Sequence, residues 1–126
     1  MQIVKLYKIL EYLIRRSTMD IIFTKKQYKN VFFHEYEEVH TDDEAILYFE
    51  EQNQIAVMNK SAICIWNYLV QKIREDCHDY NITLLDLKKE IKSNFYNTAE
   101  IENEISDDIT EVVDSFFEGG LLHCQQ

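Results

Sequence analysis

Residues 44–61 read EAILYFEEQNQIAVMNKS: two short apolar runs around a polar turn, with a helix pattern beginning directly behind the second. Runs 45–49 and 54–58 have the apolar and β-branched character of strands, and the Glu-Glu-Gln-Asn between them reads as a turn, so the stretch predicts a hairpin. A hairpin that feeds a helix this abruptly leaves its second strand, Gln54, Ile55, Ala56, Val57 and Met58, near helices and on the open edge of a small sheet. An open edge is a place where a peptide can add.

Upstream, two β-leaning patches at 20–24 and 31–36 flank the basic run 25–29, and at least one of them should join the hairpin in a three-stranded antiparallel sheet. Downstream, three helices have legible ends. The first places Ala62, Ile63, Trp66, Leu69, Val70 and Ile73 on one side, with Asn59 or Ser61 as its cap. The second opens at Thr83 with Asp86 three residues on and turns Leu84, Leu87, Ile91 and Phe95 inward. The third carries Ile101, Ile105, Ile109, Val112, Val113 and Phe116 before Gly119 and Gly120, the only glycines of the chain, end it. Leu121 and Leu122 then fold back onto the core. The expected order is three strands followed by three helices, an α+β domain.

Ahead of this domain, residues 2–16 show Ile3, Leu6, Leu10 and Leu13 at helical spacing, with Lys5, Lys8, Arg15 and Arg16 largely on the other side. This predicts an amphipathic helix over 1–18, an appendage to the domain at 19–126, with Met19 as an alternative start. Its open readings are packing on its own domain, homodimer formation, docking on an enzyme, or lying on an anionic membrane.

The chain has 126 residues, no proline and 46% hydrophobic residues, which suits one compact core. Its formal charge is −10, and residues 41–126 hold eighteen acids against six Lys or Arg. Such a surface repels phosphate backbones, so nucleic acid is not an expected partner. No run approaches the roughly 20 apolar residues of a membrane span. Three cysteines without a paired framework point to a reduced, cytoplasmic setting.

The ordered set of features resembles the PqqD-like domains, also called RiPP recognition elements. Over residues 42–122 it comprises a hairpin ending Met58-Asn59, the run Ala62-Ile63-Cys64-Ile65-Trp66, a capped helix opening Thr83-Leu84-Leu85-Asp86-Leu87, and a closing helix Phe116-Phe117-Glu118-Gly119-Gly120-Leu121-Leu122. The resemblance implies a winged-helix-like domain that does no chemistry and needs no cofactor. Such domains bind the leader of a ribosomally made precursor peptide as an added strand and present it to a modifying enzyme, such as a radical SAM enzyme, a cyclase or a leader peptidase. Here Gln54 to Met58 would supply the backbone groups, and Ile105, Ile109, Val112, Val113 and Phe116 the wall of the groove. Val112 and Val113 lie about 100° apart on a helix, so one of the two is expected to face that groove. The chain departs from the family in its N-terminal helix and in the polar, Tyr-rich run before Asp42.

Other constellations are weaker. The adjacent pairs Cys77-His78 and His123-Cys124 lack the two-to-four-residue separation of structural zinc ligands. No Gly-rich phosphate loop or nucleophile elbow supports an enzyme. Read as a DNA-recognition helix, residues 100–118 would bring eight acids and no Lys or Arg to the groove. Those acids suit a leader flanked by Lys or Arg. The rival reading is an acidic winged-helix adaptor for protein assembly that binds no precursor.

Overall fold

The computed structural model describes residues 17–75, 80–94 and 102–125. The chain is α+β, with three helices and seven strands among the described residues. The predicted appendage helix up to residue 16, Cys77, His78, Phe95 and Ile101 lie outside them.

The hairpin forms as its sequence predicts. Strands β4 (Glu44–Phe49) and β5 (Gln54–Asn59) pair antiparallel, with Ala45 opposite Met58 and Leu47 opposite Ala56. The turn closes through Asn53, whose N–H donates to the Glu50 carbonyl at 3.1 Å and whose φ of 49° lies in the left-handed region that asparagine tolerates. Strand β3 (Glu37–His40) pairs with the other side of β4, giving a three-stranded sheet in the order β3-β4-β5.

A second sheet corrects the single one expected. It has four strands in the order β6-β1-β2-β7, from β1 (Met19–Ile22), β2 (Gln27–Phe32), β6 (Asn81–Thr83) and β7 (His123–Cys124). It is mixed: β1 runs antiparallel to β2 and parallel to β6. The strands therefore do not all precede the helices, since β6 falls between two of them and β7 follows the last. Strands of two or three residues are too short to display a period of two. The register of β1 on β2 shifts between Met19 and Ile21. There Asn30, with φ 53°, donates its N–H to Asp20 Oδ1 at 2.8 Å and replaces the ladder bond that an irregularity removes.

The helices are α1 (Lys60–Glu75), α2 (Leu84–Asn94) and α3 (Glu102–Glu118). Asn59 is the last residue of β5 and also the cap of α1, since its Oδ1 accepts from the Ala62 N–H at 2.9 Å. That double role explains the abrupt junction. Thr83 and Asp86 form a reciprocal capping box: the Thr83 N–H donates to Asp86 Oδ2 at 2.9 Å, and the Asp86 N–H donates to Thr83 Oγ1 at 3.3 Å.

One core joins both sheets to the helices. Ile21, Val31 and Ile82 from the four-stranded sheet, Leu47 and Phe49 from β4, Trp66 and Leu69 from α1, Leu87 from α2 and Val113 from α3 are all fully buried in it. Trp66 sits at its aromatic centre, edge-on to Phe49 at 6.1 Å and to Phe116 at 5.2 Å between ring centroids.

Candidate functional site

The two edges of the three-stranded sheet differ in chemistry. Edge strand β3 is Glu-Glu-Val-His with every residue exposed, and charged side chains on an edge discourage pairing with another chain. Edge strand β5 is six residues long, contains no charged residue, and has no strand on its far side among the described residues. Its side chains alternate. Met58 is buried and Ala56 half-buried against the core, whereas Ile55 and Val57 point outward and are 65% and 59% exposed. In an antiparallel edge strand alternate residues present unpaired N–H and C=O groups, so β5 is a template for one further strand.

The near end of β5 is anchored to α3. The Gln54 side-chain amide donates to the Gly119 carbonyl, just beyond the helix. That carbonyl is held by a complete Schellman cap: the Gly120 N–H donates to the Phe117 carbonyl at 3.1 Å and the Leu121 N–H to the Phe116 carbonyl at 2.8 Å. Gly120 has φ 74°, which an L side chain resists, and this is why the helix ends on glycine. Leu121 and Leu122 then turn into the core at 7% and 1% exposure, as expected.

The expected groove wall needs correction. Ile109, Val113 and Phe116 are 2%, 0% and 3% exposed, packed into the domain's own core, so they support the helix and do not line a groove. Ile105 and Val112 are half-buried, and of the two adjacent valines Val112 is the accessible one. A stripe at helical spacing is the usual mark of a core, and here three of its five members have that role.

Residues that the sequence did not mark tie α3 to β2. Phe117 stacks on Tyr28 with centroids 4.1 Å apart, the Tyr28 hydroxyl donates to Asp114 Oδ1, and Lys26 Nζ reaches Asp114 Oδ2 at 2.9 Å. Partial burial alone would raise the Asp114 pKa; the hydrogen bonds from Tyr28 and Lys26 outweigh it and hold the carboxyl below its ordinary value. Burial and the bond to Asp114 push the Tyr28 hydroxyl up. One of the acids of this helix, Asp114, thus clamps it to the chain segment at 26–28.

Among the described residues both cysteines have thiols whose pKa is raised by burial. Burial pushes the Cys64 thiol up, away from the thiolate that a nucleophile requires. His123 stacks on Phe32 with centroids 5.3 Å apart, and among the described residues no three His, Cys, Asp or Glu side chains are grouped to hold a metal. No helix among the described residues is long and apolar enough to cross a membrane. The site therefore offers main-chain hydrogen-bonding groups, apolar side chains beside them, and carboxylates around them.

Searches against protein-family models, curated proteins and solved structures find no match to this chain.

Proposed function

We propose that this chain is a winged-helix-like peptide-recognition module of the PqqD-like kind, which takes the leader of a ribosomally made precursor as an added strand along β5. It performs no chemistry itself and delivers the peptide's core to a separate modifying enzyme in the cytoplasm. The observation that carries this reading is the contrast between the charged edge β3 and the uncharged, six-residue edge β5 of one sheet. Proteins normally blunt such an edge, and an unblunted one suits a partner strand. Main-chain bonds to β5 supply affinity, and side chains of the added strand alternate between the face of Ile55 and Val57 and the opposite face of the sheet. Holding the leader raises the effective concentration of the core at the enzyme without new contacts at the reacting residues.

The test is titration with the short peptide encoded beside this gene. Micromolar or tighter binding is expected. It should be lost when one central peptide residue is replaced by proline, which removes a strand donor and leaves the protein untouched. The Val57→Pro variant should also lose binding, with its circular dichroism and melting recorded beside it. If the proline peptide binds as well as the original, strand addition is wrong and the acidic adaptor becomes the better reading.

A further inference from the structure

Ile55 and Val57 belong to a larger apolar face. The strand registers align Glu37, Tyr48 and Ile55 in one row and Val39, Ile46 and Val57 in the next. Residues aligned in a row share one face of the sheet. Val39 and Tyr48 are 61% and 36% exposed, so the outer face presents a contiguous apolar patch ending at the open edge. Scattered exposed apolar residues need no explanation, but a contiguous patch on a small domain marks a contact surface.

The chain segment that builds this face carries charge of one sign. From Asn30 to Asn59 the chain carries eight Asp or Glu and no Lys or Arg. A hollow of about 190 Å³ opens beside Tyr48, lined by Glu35, Tyr36, Glu37, Tyr48, Glu50 and Glu51. Four carboxylates and two aromatic rings around one concavity suit a Lys or Arg side chain, and the chain's own Arg74 already lies 6.0 Å from the Tyr36 ring. Glu35 is shared with Arg74 at 3.6 Å. The hollow lies toward the Gln54 end of the edge, since Tyr48 is opposite Ile55 and Glu50 and Glu51 belong to the turn before Gln54. At that same end Glu118 closes α3, whose last turn has no basic residue, so the negative end of the helix dipole is unopposed by one.

Building on the strand-addition reading, we infer that the peptide accepted by β5 is a cationic amphipathic strand. Its alternate apolar residues extend the patch beside Ile55 and Val57. Lys or Arg residues group at the end beside Gln54, where the carboxylates of the turn and of the hollow beyond it attract them across Ile55. A second copy of this chain brings the same acids and is repelled, and a neutral strand leaves the carboxylates unanswered.

The experiment titrates the full chain with three synthetic peptides of equal length. Each has the same alternating Val/Thr strand, ending in a Lys-Lys-Arg group, in three Gln or in three Glu. Fluorescence anisotropy should show the Lys-Lys-Arg peptide binding about tenfold tighter than the Gln peptide and the Glu peptide weakest. The advantage should collapse at 1 M salt, where screening shortens to about 3 Å. Glu50→Gln with Glu51→Gln should reduce the advantage, and Ile55→Thr with Val57→Thr, both exposed, should weaken all three peptides severalfold.

Equal affinity for the cationic and Gln peptides overturns the inference, as does unchanged binding by the double Thr variant. A dimer of the full chain that the Thr variant dissolves assigns the face to a second copy and also overturns it. Zero-length cross-links from Lys5 or Lys8 to Glu44 within one monomer assign it to the chain's own N-terminal segment, with the same consequence. A gene-neighbour leader that binds tightly but ignores salt and the Gln variants removes this inference and leaves strand addition standing. A leader that binds at no salt concentration removes the strand-addition reading itself.

Discussion

The two sheets are built from similar residues and face opposite demands. In the four-stranded sheet Ile21, Val31 and Ile82 are fully buried, and the edges are β6 of three residues and β7 of two. Short edges offer little to an incoming strand. In the three-stranded sheet one face is equally buried, through Ala45, Leu47, Phe49 and Met58, while the other carries Val39, Ile55 and Val57 mostly exposed beside a six-residue edge. The first sheet is closed and the second is open. Stability should therefore reside in the first and in the inner face of the second, leaving the outer face free for contact.

The largest effect expected from this contrast is a truncation in the closed sheet. Ile21→Ala or Ile82→Ala should cost about 3 kcal/mol in urea unfolding, because each removes a fully buried side chain and leaves a cavity. Val57→Thr, also on a strand, should cost less than about 0.5 kcal/mol because its side chain is already in water. Similar costs for the two would break the comparison and mean that the outer face is covered in solution.

Next in size is the link between the open sheet and α3. Gly120→Val should cost about 1 to 2 kcal/mol, since it forces a β-branched residue into the left-handed region. Because the Gly119 carbonyl receives the Gln54 amide, amide exchange should quicken around the start of β5 as well as at the end of α3. Protection lost only at α3 would show that β5 does not depend on this anchor. Smaller again is Asn59→Ala at the β5–α1 junction, expected to cost about 1 kcal/mol, with Asn59→Ser near neutral because serine also caps.

The difference between the sheets also explains what the sequence revealed. The hairpin was legible because its strands are six residues each, neighbours in sequence, and closed by a polar turn. The helices were legible from their stripes and from their ends, where Asn59, Thr83 with Asp86, and Gly120 act through local hydrogen bonds that a sequence pattern carries. The closed sheet was not, because β1, β6 and β7 come from distant parts of the chain and are too short for periodicity to register. The run 25–29 read as a basic separator because of its lysines, although Gln27–Phe32 is a strand and Tyr28 packs under α3. Within the candidate site, β5 was legible as a strand, but buried and accessible residues of α3 were not separable, since Ile109 and Val112 both satisfy helical spacing and only packing distinguishes them. The outer apolar face needed the register, which places Val39 and Ile46 beside Val57.

The smallest effect concerns the clamp between α3 and the closed sheet. Tyr28 and Lys26 both donate to Asp114 and hold its carboxyl pKa below the ordinary value, so the folded state favours the ionised form. A carboxyl depressed in this way contributes stability fully above its unfolded pKa of about 3.9, and the contribution fades as pH falls through the lower folded value. Asp114→Asn should therefore be less stable than the parent by a constant amount near neutral pH, and the gap should narrow below about pH 4. Urea unfolding of both proteins across that range measures it. Tyr28→Phe should remove much of the same pH dependence, and adding it to Asp114→Asn should cost less than the sum of the two, because both act on one hydrogen bond. Peptide affinity at neutral pH should be unchanged in both variants, since the clamp joins α3 to β2 and the proposed binding edge is β5. A gap that stays constant down to pH 2 would mean that Asp114 acts through packing alone, and a loss of peptide binding would mean that the closed sheet and the open one are mechanically coupled through α3.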